Sequence, residues 1–210
     1  MLPKSLIDGY WRFRRDRHEP EKGRYRQLAA LGQSPTGMVI ACCDSRVDVS
    51  AIFDAGPGVL FIMRNVANLV PPFEPEGRFH GTSAAVEYAA TVLNVPNIIV
   101  LGHSHCGGVS AYREKLAGKA DETSFIGRWL TLLDGLDVKK SEVEAFGQET
   151  AFELAGIRQS IANLRTFDAL KEREAEGLLD LHGLHFDIGS GTVLALEEKT
   201  DTFAPLPEDA

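Results

Sequence analysis

Apolar residues in this chain gather in short unbroken blocks set between helical or turn-forming stretches. Met38-Val39-Ile40-Ala41, Val59-Leu60-Phe61-Ile62-Met63 and Asn97-Ile98-Ile99-Val100-Leu101-Gly102 are partly β-branched, and turn residues such as Ser34-Pro35-Thr36-Gly37 and Ala55-Gly56-Pro57-Gly58 precede them. Blocks this short and this uniformly apolar predict buried strands of a parallel sheet. Between them the spacing turns helical. Asp48 to Phe53 predicts a short helix, Gly81 to Leu93 a longer one rich in small residues (Ala84, Ala85, Ala89, Ala90), and Gly107-Gly108 opens another that reaches about Leu116. From about Asp121 to Ala175 the pattern is almost wholly helical, with interruptions expected near Gly135 and Phe167. Gly183 to Leu196 predicts a hairpin turning at Gly189-Ser190-Gly191 and adding strands to the sheet edge.

Ahead of the first strand, residues 5–31 are rich in Arg, Glu, Leu and Ala, and Glu19-Pro20 interrupts them. Two amphipathic helices are expected there. Residues 1–33 thus form a helical arm with little core of its own, which needs a partner surface. The tail from Phe203 to Ala210 is acidic and contains proline, and it is expected to be poorly ordered. The fold class that follows is α/β: a mostly parallel central β-sheet flanked by helices, with an amino-terminal helical arm and a helical carboxyl-terminal half ending in an edge hairpin. With 210 residues and no break in composition, residues 1–210 read as a single domain.

Charge narrows the partners. A formal net charge of -8 argues against nucleic acid or an anionic membrane surface, and the basic cluster Arg12, Arg14, Arg15 and Arg17 reads as a solvated helix face or subunit contact. The first residues lack the apolar core of a secretory signal, and no apolar run approaches the about 20 residues of a membrane span. The expected location is cytoplasmic. Three cysteines without an export signal fit reduced thiols and a metal better than a disulfide framework.

The candidate chemistry sits where two apolar blocks end. Cys42-Cys43-Asp44-Ser45-Arg46 follows the first block, and strand alternation would turn Cys42, Asp44 and Arg46 one way and Cys43 and Ser45 the other. Alone, this stretch reads equally well as a buried structural cysteine followed by a surface turn. His103-Ser104-His105-Cys106-Gly107-Gly108 follows the third block. Polar residues at the carboxyl ends of parallel strands lie in the crevice where such folds bind ligands. Cys42, His103 and Cys106 could then meet there, and three N/S ligands with a fourth position open is the arrangement of a catalytic zinc. On the ligand face Asp44 could accept a hydrogen bond from zinc-bound water or hydroxide, with Arg46 holding it ionised through a bidentate pair.

Together with Arg64-Asn65-Val66-Ala67-Asn68 between them, these two motifs resemble, in content and order, those of the β-class carbonic anhydrases, and the resemblance extends over most of the chain. It implies one Zn2+ per chain, held by Cys42, His103 and Cys106, and reversible hydration of CO2 to bicarbonate and a proton by zinc-bound hydroxide that the Asp44–Arg46 dyad orients. Gln33, nine residues before Cys42, matches the family's bicarbonate-binding glutamine. Phe61 and Val66 match its apolar CO2 pocket, and Tyr88 the tyrosine contributed to that pocket. In some members the aspartate, here Asp44, swings onto zinc and closes the site. A tryptophan three residues before the first cysteine accompanies that behaviour, and Val39 stands there in this chain, which favours the plant-like, constitutively open branch. The family also implies a homodimer or homotetramer with sites at subunit boundaries. Rival readings are a COS or CS2 hydrolase on the same scaffold and a catalytically silent zinc scaffold protein, with a thiol redox protein using Cys42 and Cys43 further behind.

Overall fold

The computed structural model describes residues 1–76, 81–118 and 123–208. Its centre is β1 (Gly37–Cys42), in which every residue is buried, as the unbroken apolar block requires. The six-stranded sheet runs β2-β1-β3-β4-β5-β6, with β2 at Leu60–Asn65, β3 at Asn97–His103, β4 at Asp180–Phe186, β5 at Val193–Glu197 and β6 at Thr202–Pro205. The β2-β1-β3-β4 pairings are parallel, and β5 and β6 are antiparallel additions.

Alternation along the strands feeds two apolar layers. Met38, Ile40, Ile98, Val100 and Leu181 pack against α8 (Gln148–Leu164) through Leu154, Ile157, Ile161 and Leu164, and against Val86, Ala89 and Ala90 from α4 (Gly81–Glu87) and the wider turn that prolongs it. Val39, Ala41, Leu101 and Leu184 meet Val47 and Val49 on the other face. Each of the larger of these side chains, Val, Leu, Ile or Met, contributes about 1.5–3 kcal/mol when fully buried. Helix α8 lies close on the sheet because two strand positions are glycine. A Cβ at Gly102 would stand 2.7 Å from Ile157 Cδ1, and one at Gly183 would stand 2.9 Å from Ile157 Cγ2.

The remaining helices follow the expected order: α1 (Lys4–Phe13), running on as a wider turn to His18, then α2 (Lys22–Leu31) after the break at Glu19-Pro20. None of the arm's helical residues is buried. Asp48 caps α3 (Val49–Ile52) by accepting from Ser50 N and Ala51 N at 3.1 and 3.3 Å. Next come α5 (Gly107–Leu116), α6 (Phe125–Trp129), α7 (Lys140–Phe146) and, after α8, α9 (Asp168–Ala175). Breaks occur near Gly135 and Phe167 as expected. Gly147, at a φ of 85°, adds a further break between α7 and α8 that the charge-rich pattern there concealed. Asp121, the expected start of this helical region, lies outside the described residues. Among the described residues no helix is long and apolar enough to cross a membrane.

Two expectations need correction. The block around Val59 to Met63 is not a fully buried strand: β2 is the sheet edge, and Ile62 remains 38% exposed, since an apolar run does not reveal whether both faces are covered. The tail is not disordered from Phe203. Residues Thr202–Pro205 form β6, with Phe203 paired to Leu196, buried, and capped by the Arg158 guanidinium 4.9 Å from its ring centre. One buried aromatic outweighs the acidic composition around it. The expected hairpin therefore becomes a meander of β4, β5 and β6. Asp209 and Ala210 lie outside the described residues.

The β5–β6 turn is tied down by charge. Asp201 pairs with Lys139 and with Arg158 Nε at 2.6 Å, and Arg158 also pairs with the buried Glu142. Lys139, and secondarily Arg158, hold the Asp201 carboxyl below the usual carboxylate range against partial burial. A depressed folded-state pKa contributes stability that is present above the unfolded value of about 3.9 and disappears as pH falls through the folded one. Asp201→Asn should therefore cost up to about 1 kcal/mol near pH 7, the side chain being half exposed, and should cost progressively less toward pH 3. Urea unfolding at both pH values checks this; an equal cost at each would remove Asp201 from the acid response.

Candidate metal centre

Parallel pairing carries β1 and β3 to nearly the same level, with Ala41 beside Leu101, so Cys42 and His103 leave neighbouring strands side by side. Three residues on, Cys106 turns the chain into α5. The Cys42 and Cys106 sulfurs stand 4.0 Å apart, and with a His103 ring nitrogen the ligand atoms lie within 4.8 Å of one another, all three residues buried. Two sulfurs at about 2.3 Å from a tetrahedral zinc would be roughly 3.8 Å apart. The imidazole fits as well. His103 Nδ1 donates to Ser104 O at 2.9 Å, which leaves the lone pair on Nε2, and Nε2 is buried without a hydrogen-bond partner. A buried acceptor left unpaired costs about 1–3 kcal/mol, and a cation between the sulfurs would use it. The donor set is that of a soft divalent metal such as zinc.

The backbone favours thiolate. The Cys106 thiol, and after it His103 and the N–H groups of Asp44 and Ala67, pull the Cys42 thiol down against the effect of burial. Cys42 and burial push the Cys106 thiol up, opposed by the N–H groups of Val109 and Gly108 in the first turn of α5. Asp44 stands beside this trio, Oδ2 being 3.9 Å from His103 Nε2. Arg46 grips it twice, Nε to Oδ1 at 2.9 Å and Nη2 to Oδ2 at 2.7 Å, and holds the carboxyl well below its usual range.

The carboxylate is therefore fixed as an acceptor facing the ligands.

Of the residues singled out in the sequence, Cys42, His103, Cys106, Asp44 and Arg46 come together. Val66 joins them at the edge, following Asn65, which pairs with Cys42, and lying against the first turn of α5. Phe61 and Tyr88 do not. They pack on each other with ring centres 5.9 Å apart, and Phe61 lies four residues before Asn65, about 13 Å along the strand from the level of Cys42. Gln33 is exposed in the segment ahead of the amino end of β1. Cys43 is exposed and turned away, as alternation requires. His105 projects outward at a φ of 56°, its Nδ1 3.2 Å from Glu149 Oε2. His80 lies outside the described residues.

Several supports were not legible beforehand. Arg64 donates through Nε to Cys42 O at 2.9 Å and through Nη2 to Asp44 O at 2.7 Å, clamping the loop that carries both. Ala67 and Asn68 adopt left-handed backbone (φ of 63° and 50°), which Asn65 stabilises by exchanging hydrogen bonds with the Leu69 backbone at 2.9 and 2.7 Å. Ser104 ties the other loop to the β4–β5 turn through Ile188 N at 2.9 Å. Glu153 on α8 accepts from Cys106 N at 2.9 Å. The only advance signal was the polar content of Arg64-Asn65; a lone glutamate in a helix carries none.

A family model described as carbonic anhydrase matches residues 37–193. A carbonic anhydrase of Pseudomonas aeruginosa is 34% identical over 209 residues, covering 98% of this chain and 92% of that protein. Among solved structures, the β-carbonic anhydrase CcaA superposes with a TM-score of 0.82 at 31% identity over 97% of this chain and 98% of that one. One of two tetrameric β-carbonic anhydrases from Sordaria macrospora superposes with a TM-score of 0.70 at 28% identity, covering 92% of each chain. With the motifs, the sheet and the Cys–His–Cys trio all in agreement, the chain belongs to the β-class carbonic anhydrase family.

Proposed function

We propose that the protein catalyses reversible hydration of CO2 to bicarbonate and a proton at one Zn2+ per chain, held by Cys42, His103 and Cys106. The observation that carries this reading is the buried, unpartnered His103 Nε2 grouped with two sulfurs within 4.8 Å, beside a carboxylate locked by arginine. Zinc bound there supplies Lewis acidity that makes water a nucleophile near neutral pH. Asp44 does the orienting. Ionised, it is acceptor-only, so it accepts a hydrogen bond from the nucleophile and leaves an oxygen lone pair turned toward the carbon of CO2. Arg46 keeps Asp44 from rotating. That pairing, together with Val39, supports the open-branch reading, in which Asp44 stays off the metal. Val66, beside the ligands, offers apolar surface to an uncharged substrate, and the proton passes to buffer.

Gln33, Phe61 and Tyr88 are proposed to serve the site of a second copy in a homodimer or larger homo-oligomer. The support is an unburied arm exposing Leu6, Tyr10 and Trp11, a half-exposed edge strand, and the tetrameric assembly of the Sordaria macrospora relative. Three free thiols support a reducing, cytoplasmic location.

Three outcomes follow. Elemental analysis should find near-full zinc in Cys43→Ser and little in Cys42→Ser; the reverse would overturn the ligand assignment. Asp44→Asn should keep its zinc and lose about 10²-fold or more of CO2 hydration in a stopped-flow pH-indicator assay, because a neutral amide can donate to the nucleophile and misdirect it. Wild-type turnover in that variant would remove the dyad from the mechanism, and sulfide release from COS or CS2 exceeding CO2 hydration would reassign the substrate. Light scattering should give a dimer or larger. A monodisperse, fully active monomer would show that Gln33, Phe61 and Tyr88 serve no second site.

A further inference from the structure

One peptide unit of the metal loop is held at both of its polar ends. The His105 carbonyl accepts from Arg46 Nη2 at 2.9 Å, and the N–H of the same peptide, that of Cys106, donates to Glu153 Oε1 at 2.9 Å. Glu153 is only 3% exposed, on α8 next to Leu154 and Ile157 of the main apolar core. Its other oxygen accepts from Nε2 of His185 at 2.9 Å, and His185, 2% exposed, sits on β4 opposite Gly102 of β3. His185 Nδ1 has no partner, so the imidazole is committed to the carboxylate alone.

A carboxylate in such a place carries a desolvation cost that an aliphatic side chain, which would seal helix to sheet as well, would avoid. What the charge adds is direction. It anchors, by a charge-assisted bond, the nitrogen one bond away from the Cys106 Cα, just after a residue held in left-handed backbone at a φ of 56°. At the opposite end of that peptide, the same guanidinium grips Asp44. Carboxylate, peptide, guanidinium and carboxylate form one polarised chain, which stiffens as a unit.

We propose that Glu153, oriented by His185, is a positioning residue that fixes the His105–Cys106 peptide and thereby sets the ligand Cys106 in register with the Asp44–Arg46 pair. This rests on the metal-site reading above. Groups that orient metal ligands typically alter affinity 10- to 100-fold when removed.

The test uses the full-length zinc protein and its cobalt(II)-substituted form. Glu153→Leu should hand zinc to a chromophoric chelator about 10-fold faster or more and shift the thiolate-to-cobalt and d–d absorption bands. Glu153→Gln keeps a neutral acceptor and should fall between wild type and Glu153→Leu, about threefold faster; if the leucine variant does not fold, this one decides. The control is Glu142→Gln, which removes a buried charge paired with Arg158 instead. It should lower Tm while leaving zinc transfer and the cobalt spectrum unchanged. Transfer within twofold of wild type and an unchanged spectrum in the Glu153 variants would overturn the proposal. So would equal acceleration in Glu142→Gln at an equal loss of Tm. A wild-type protein that takes up neither metal would instead bring down the metal-site reading and this proposal with it.

Discussion

Two sulfurs and an imidazole lone pair, all buried and all within reach of one another, form an arrangement that an ordinary core would disperse. Each is an electron-rich atom, and nothing but a cation or a set of donors makes their proximity favourable. The chain supplies donors from the backbone: N–H groups of Asp44 and Ala67 toward Cys42, and of Gly108 and Val109 toward Cys106. The Gly108 and Val109 N–H groups are available because Cys106 begins a helix, where backbone donors lack internal partners, and that of Asp44 because β1 ends at Cys42. The parallel sheet is thus a condition of the chemistry, since it brings a strand end and a helix start to the same rim.

The same rim is held from behind by α8. Ser160 and Asn163 take the Asn68–Val70 segment, Asn163 Nδ2 reaching Val70 O at 2.7 Å, while Glu153, two turns earlier, takes Cys106. One buried helix therefore anchors both loops that flank the sulfurs. Its closeness to the sheet depends on Gly102 and Gly183, where a Cβ would collide with Ile157. Packing and ligand geometry are in this way the same constraint: a helix pushed outward by a methyl group would carry its hydrogen-bonding side chains away from both loops.

Much of this was legible in the sequence, for identifiable reasons. Unbroken apolar blocks marked β1 and β3 because central parallel strands are covered on both faces, and the Cys–His–Cys group was found because its members stand at or just beyond the ends of those blocks. Edge strands gave a weaker signal. β2 has the same apolar composition but only one neighbour, and β6 hides a single buried aromatic in an acidic, proline-containing tail. Supporting residues gave little: Arg64 stood out only within the Arg64–Asn68 motif, and Glu153 not at all. Arg64 and Glu153 have the composition of surface charges, and only the fold shows that their partners are the backbone atoms of Cys42, Asp44 and Cys106.

Distance decides what one chain can do alone. The Cys–His–Cys trio and the Asp44–Arg46 pair are complete within it, whereas Phe61 sits about 13 Å along edge strand β2 from the level of Cys42, with Tyr88 packed on it from the helical turn after α4. A strand is too rigid to close that gap by bending. Neither aromatic reaches the trio of its own chain, and the amino-terminal arm has no buried residue of its own. The exposed apolar side chains of the arm and the exposed edge of β2 then answer the same need: in each, surface left unpaired by folding is surface available for assembly.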